Sequence, residues 1–88
     1  MLRTSPAFSG FAVDDIATAR AFYGGTLGLA VTEMPEMGLL QLTLGSGAAV
    51  LVYPKHDHVP ATFTILNFPV ADIDAAVAAL AAAGVSFD

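Results

Sequence analysis

The sequence predicts an α+β fold: a β-α-β-β-β module followed by the opening of a second copy of that module. Three observations predict it. Short apolar or alternating runs of strand character are interleaved with two segments of helical periodicity. Each helical segment opens on an aspartate and closes on a glycine, the residues that favour helix starts and stops. The sequence also repeats itself at an offset of 57 residues.

Ala7 to Val13 (AFSGFAV) is an apolar run before a polar pair and reads as the first strand. Asp14 or Asp15 then offers an N-cap, and Ile16, Ala19, Tyr23 and Leu27 recur at helical spacing with Phe22 alongside. Gly28 sits where a C-terminal glycine belongs. Gly24 and Gly25 weaken the last turn by roughly 1 kcal/mol each, so that end is expected to fray or stop early. Val31 to Met34 resumes an extended pattern that Pro35 and Gly38 break. Leu40, Leu42 and Leu44 alternate with Gln41 and Thr43, a strand with one wet face. Gly45-Ser46-Gly47 is a hairpin turn by composition, Ala48 to Tyr53 is the returning strand, and Pro54 ends it.

Lys55 to Ala61 is the one polar loop of any length, and Thr62 to Phe68 (TFTILNF) is expected to be a further strand. Asp72 caps a second helix whose buried stripe is expected at Ile73, Val77 and Leu80, with Gly84 as its stop. Val85 to Asp88 starts another strand.

At the 57-residue offset Phe11 aligns with Phe68, Val13 with Val70, Asp15 with Asp72, Ile16 with Ile73, Ala19 with Ala76 and Ala21 with Ala78. Six of the eleven positions from 11 to 21 are identical, and strand, cap and helix agree in order, which favours a true repeat over chance likeness of alanine-rich helices. The helix-ending glycines, Gly28 and Gly84, match once one residue is dropped. One domain over residues 1–88 is therefore expected, with 7–64 as the first module and 65–88 as the start of the second. The second copy is expected to lack about 33 residues, enough for roughly three strands.

Composition excludes several classes. The chain is 56% hydrophobic and 12% charged, the reverse of a disordered sequence. An 88-residue domain hides roughly 60–65% of its unfolded surface, so so apolar a composition points to a face that a partner or further chain covers. Three basic residues against eight acids (net charge −5) leave no electrostatic footprint for nucleic acid or an anionic membrane. The longest apolar run, Ala75 to Val85, is about half a bilayer span. With no cysteine there are no disulfides or thiolate sites, and a cytoplasmic location is expected.

Phe11 to Leu29 (FAVDDIATARAFYGGTLGL) and Phe68 to Phe87 (FPVADIDAAVAALAAAGVSF) resemble the matching stretches of the two modules of the vicinal oxygen chelate superfamily, which includes glyoxalase I, bleomycin-resistance proteins and extradiol dioxygenases. The resemblance covers nearly the whole chain. It implies a curved mixed sheet with helices on its outer face, two modules together enclosing a cavity. It also implies where metal-dependent members carry ligands: a His or Gln seven residues before the signature Asp, and a Glu on the module's last strand. Here those positions hold Phe8 and Ile65, and Ala48 to Tyr53 contains no carboxylate. No metal and no cofactor is therefore expected, unless ligands are placed outside the family pattern.

His56 and His58 are the one pair with metal-binding chemistry, and at i and i+2 on an extended segment they would point the same way. Their place in a polar loop, without a third His, makes a solvated patch the simpler reading. Gly24, Gly25 and Gly28 end a helix, whereas phosphate-cradling glycines precede one. The paired acids, Asp14 with Asp15 and Asp72 with Asp74, are helix caps. The residues expected to line a ligand cavity are Phe8, Gln41, Thr43, Tyr53, Phe63 and Asn67, a few polar groups in an apolar lining.

The leading expectation is a metal-free protein that binds a small apolar or aromatic molecule. The alternatives are a metal-dependent lyase, isomerase or dioxygenase of the same superfamily, and a shortened module whose main property is self-association. A homodimer is expected because one module leaves a sheet edge and face open.

Overall fold

The computed structural model describes residues 1–87. Strand β1 (Ser9–Val13) leads into helix α1 (Ile16–Arg20), which continues as a π-helical segment over Ala21–Thr26. Strands β2 (Ala30–Met34), β3 (Leu39–Thr43) and β4 (Ala49–Pro54) follow, and helix α2 (Ile73–Ala82) comes last. The four strands form one mixed sheet in the order β1-β4-β3-β2. β2, β3 and β4 are an antiparallel meander, and β1 runs parallel to β4 with Phe11 opposite Val52. The architecture is the α+β module the sequence predicts.

Each connection follows from its residues. Asp15 is the N-cap of α1: its Oδ1 accepts from the backbone N–H groups of Ala17 at 2.9 Å and Thr18 at 3.2 Å. Gly38, at φ +69°, closes the turn between β2 and β3. Gly47, at φ +89°, closes the next hairpin, where the Leu44 and Ala48 backbones pair at 2.9 Å. β4 runs one residue further than expected, because Pro54 lies opposite Val13 and the following Lys55 N–H donates to the Val13 carbonyl at 2.8 Å.

The first helix does not stop early at Gly24–Gly25. It widens instead: the Leu27 N–H reaches back five residues to the Phe22 carbonyl at 2.9 Å, and the Leu29 N–H reaches Tyr23 at 2.9 Å after Gly28 reverses the chain at φ +73°. A π-helical turn accommodates one residue more than an α-turn. That is the residue that must be dropped to bring Gly28 onto Gly84. Gly24 also lies close to β2: a Cβ there would stand 3.3 Å from Val31 Cγ2, tighter than an ordinary contact.

Alternation sends Leu40, Leu42, Val50 and Val52 to one face of the sheet, where α1 covers them through Ala19. Among the described residues these five are the buried core, and Phe11, Val13, Ile16, Tyr23 and Val31 pack around it. Gln41, Thr43, Leu51 and Tyr53 project from the opposite face, which no helix covers. Arg20 and Glu33 form a solvent-exposed ion pair at 2.9 Å between α1 and β2.

The second copy departs from expectation after its cap. Asp72 Oδ1 accepts from Ala75 N–H at 3.1 Å, and Gly84 turns at φ +99°, so α2 starts and stops as predicted. Thr62–Phe68, however, forms no strand, and residues 85–87 form none either; Asp88 lies outside the described residues. The stripe of α2 is not buried: Ile73 is 66% exposed, Val77 also faces solvent, and Leu80 is half-buried. The physical reason is shared. β1 is held by its ladder to β4 and α1 by the β3–β4 surface, whereas among the described residues no strand pair stands beside 62–68 or under α2. α2 faces Leu27 and Leu29 across an apolar gap of about 290 Å³ lined also by Phe68 and Val70. Among the described residues no helix is long and apolar enough to cross a membrane.

Two stability measurements check this account by chemical denaturation. Asp15→Ala removes both cap hydrogen bonds and is expected to lower stability by about 1 kcal/mol. Leu42→Ala, at a fully buried position, is expected to lose about 2–5 kcal/mol, whereas Ile73→Ala, its side chain in water, loses less than about 1 kcal/mol.

Candidate functional site

Tyr53, near the end of β4, and the turn after it stand beside the free edge of the sheet. β1 is an edge strand, and Gly10 is its second residue. A Cβ at Gly10 would lie 3.1 Å from the Leu51 carbonyl oxygen, tighter than an ordinary contact, so glycine eases the close approach of β1 to β4, and the Tyr53 ring lies on the same side, with Cε1 3.8 Å from that Cβ position. Beyond this edge the chain returns as residues 58–65. Between the two runs a groove of about 450 Å³, lined by Gly10–Val13, Tyr23 and Tyr53 on the sheet side and by His58, Pro60, Phe63 and Ile65 on the loop side.

On the helix-covered side of β1, opposite the face that carries Tyr53, lies an aromatic cluster. Phe11 and Tyr23 meet edge to face, with ring centroids 5.6 Å apart, and Phe22 meets Tyr23 the same way at 5.1 Å. The π-helical segment is what carries Phe22 and Tyr23. Burial pushes the Tyr23 phenol above its ordinary pKa of 10.0, because the phenolate would lose hydration there. The hydroxyl therefore stays protonated and able to donate. Among the described residues neither tyrosine hydroxyl, nor the His58 ring, is hydrogen-bonded to another protein group. Among the described residues no Asp, Glu, Lys or Arg side chain lines the groove.

The residues expected from the sequence to line a cavity are divided. Tyr53 and Phe63 meet in this groove. Gln41 and Thr43 share the uncovered sheet face with Tyr53 but stand on β3, the far side of β4 from the groove. Phe8 precedes β1 and is 66% exposed. Asn67 is exposed and lines a separate recess of about 300 Å³ against Leu44 and Ser46. It is not held by a neighbouring strand, since 62–68 forms none.

Tyr23 and His58 join the groove without having been expected there. Tyr23 reads from its spacing as a core aromatic, and it is one on its inner edge. The sequence pairs His58 with His56 on an extended segment, but the backbone turns there, the His58 N–H donating to the Lys55 carbonyl at 3.1 Å. Of the two, His58 alone lines the groove and His56 is exposed. The sequence feature pointing to this corner is Gly10, a glycine inside an apolar strand.

The donor set does not fit the metal that the family resemblance brings with it. Phe8 and Ile65 occupy the ligand positions, β4 ends without a carboxylate, and among the described residues no three His, Asp or Glu side chains converge.

A search among curated proteins finds no match to this chain. A family profile described as Glyoxalase/Bleomycin resistance protein/Dioxygenase superfamily matches residues 7–88. The match spans the strand that carries Gly10, the capped helix, the meander and the second Asp-capped helix, in the order the fold shows them. The chain belongs to the glyoxalase/bleomycin resistance protein/dioxygenase superfamily.

Proposed function

We propose that the protein binds a small, largely apolar or aromatic molecule without a metal, in the groove between β1 and residues 58–65. The observation that carries this reading is the groove itself: about 450 Å³, walled by aromatic and aliphatic side chains, with a few unengaged polar groups. The metal-independent part is supported by Phe8 and Ile65, whose side chains have no lone pair to offer. A cysteine-free sequence supports a cytoplasmic setting for such a protein.

The protein has two tyrosines and no tryptophan, and both tyrosines line the groove. Tyrosine ring resonances therefore report on this site, Tyr53 from its open side and Tyr23 from its core side. Titration of tyrosine-labelled protein with naphthalene or 2-acetylnaphthalene is expected to shift both ring signals saturably, and EDTA leaves the titration unchanged. Absence of any shift overturns the reading. So does stoichiometric zinc, nickel, manganese or iron in the purified protein whose removal abolishes binding.

A second reading concerns assembly, and the exposed side chains of the second copy favour it. Phe68, Val70, Ile73 and Val77 form an apolar surface that one chain leaves in water, and a second copy of the chain would cover it as a homodimer. Sedimentation at micromolar concentration is expected to give a dimer, and Ile73→Asp a monomer. A wild-type monomer refutes this reading and leaves the groove untouched.

A further inference from the structure

The free side of β1 gives the groove a recognition chemistry of its own, an inference that rests on the binding site proposed above. β4 is the neighbour of β1 in the sheet, and the Val13 carbonyl faces it, accepting from Lys55 N–H at 2.8 Å. In a parallel ladder alternate residues of a strand aim both N–H and C=O at the partner strand. Ser9, Phe11 and Val13 therefore face β4, and the N–H and C=O of Gly10 and Ala12 face the groove. Among the described residues no hydrogen bond joins Gly10 or Ala12 to the returning chain of residues 58–65. Because the groove follows this edge, both faces of the sheet contribute to it: Tyr53 from the open side, Phe11 and Tyr23 from the helix-covered side.

An edge residue with both backbone groups free accepts one pairing unit, an N–H and a C=O flanking one tetrahedral carbon, as a residue of an added antiparallel strand supplies. Paired residues carry their side chains to the same face of the sheet. Opposite Gly10 that is the Tyr53 face, and Gly10 itself fills none of it: its Cβ position stands 3.8 Å from Tyr53 Cε1. A ring on the ligand can take the space beside Tyr53 that a side chain at position 10 would narrow. The occupant is a single extended molecule, because residues 58–65 line the far side of the groove. The β1 strand of a second copy would bring its own β4 against them. We infer that the groove takes a short hydrophobic peptide or similar diamide, paired with the backbone of Gly10 and laying an aromatic side chain beside Tyr53.

N-acetyl-L-phenylalanine N-methylamide is the probe, and an analogue with an ester oxygen in place of the phenylalanine N–H is its control. In amide spectra of the labelled protein the diamide is expected to shift Gly10 saturably and to slow its hydrogen exchange. Phe11, whose N–H already faces β4, changes less, and the Tyr53 ring signal moves more than that of Tyr23. The ester analogue offers no donor to the Gly10 carbonyl and is expected to bind about 3- to 10-fold more weakly. Equal affinities for diamide and ester overturn the inference while the groove stands as a binding site. So does a Gly10 amide that stays fixed while the tyrosine rings shift, or a diamide that fails to bind where naphthalene does. Gly10 and Ala12 amides that shift with protein concentration alone put a second copy on the edge and overturn it too. If neither the diamide nor naphthalene shifts either tyrosine ring, the binding site itself is refuted.

Discussion

The rest of the structure depends on the seat of one short helix on four aliphatic side chains. Leu40, Leu42, Val50 and Val52 alternate onto one face of the two central strands, and Ala19 closes over them, 6% exposed. A methyl group at that position lets the helix lie close to the sheet, and Gly24 extends the close approach to Val31. Once one face is taken by α1, the other is left without a cover, and β1 is left at the edge beside β4. The groove exists because that edge is free and the returning chain passes along it. Seat, uncovered face and groove are therefore one arrangement.

The two copies of the repeat separate what is local in folding from what is not. Asp15 and Asp72 sit at nearly the same backbone angles, φ −138° with ψ 115° and 106°, and each carboxylate caps its helix. Capping involves only the next few residues, so both copies achieve it. Burial needs a second surface. Ile16 is half-buried beside the core, whereas its counterpart Ile73 is two-thirds exposed. The same contrast holds for Val13 against Val70. Composition alone could not distinguish these pairs, since their sequences are matched.

The candidate site was legible in part, and the division has a physical basis. Tyr53 and Phe63 stand out as aromatic residues on runs of strand character, and both reach the groove. Gln41 and Thr43 satisfy the same alternation, but register places them across β4 from it. Asn67 lies on a run whose ladder does not form, so its side chain goes to a different recess. Tyr23 is assigned to the core by periodicity, and a half-buried aromatic can serve a core with one edge and a groove with the other. His58 is carried in by a tight turn after β4 that an extended reading of HDH does not anticipate.

By itself the sequence determined the α+β class, both caps and both helix stops, the two hairpins and the core alternation of β3 and β4. All of these are set by neighbours within a few residues or by a period of 2 or 3.6. It also carried the family, because the strand-Asp-helix order is written twice. Only the tertiary structure decided which strands have partners, that the first helix absorbs its extra residue as a π-turn, and which aromatic rings face one another. Those outcomes turn on surfaces far apart in the chain. A run such as TFTILNF has the composition of a strand, but a strand exists only where another backbone is present to bond it.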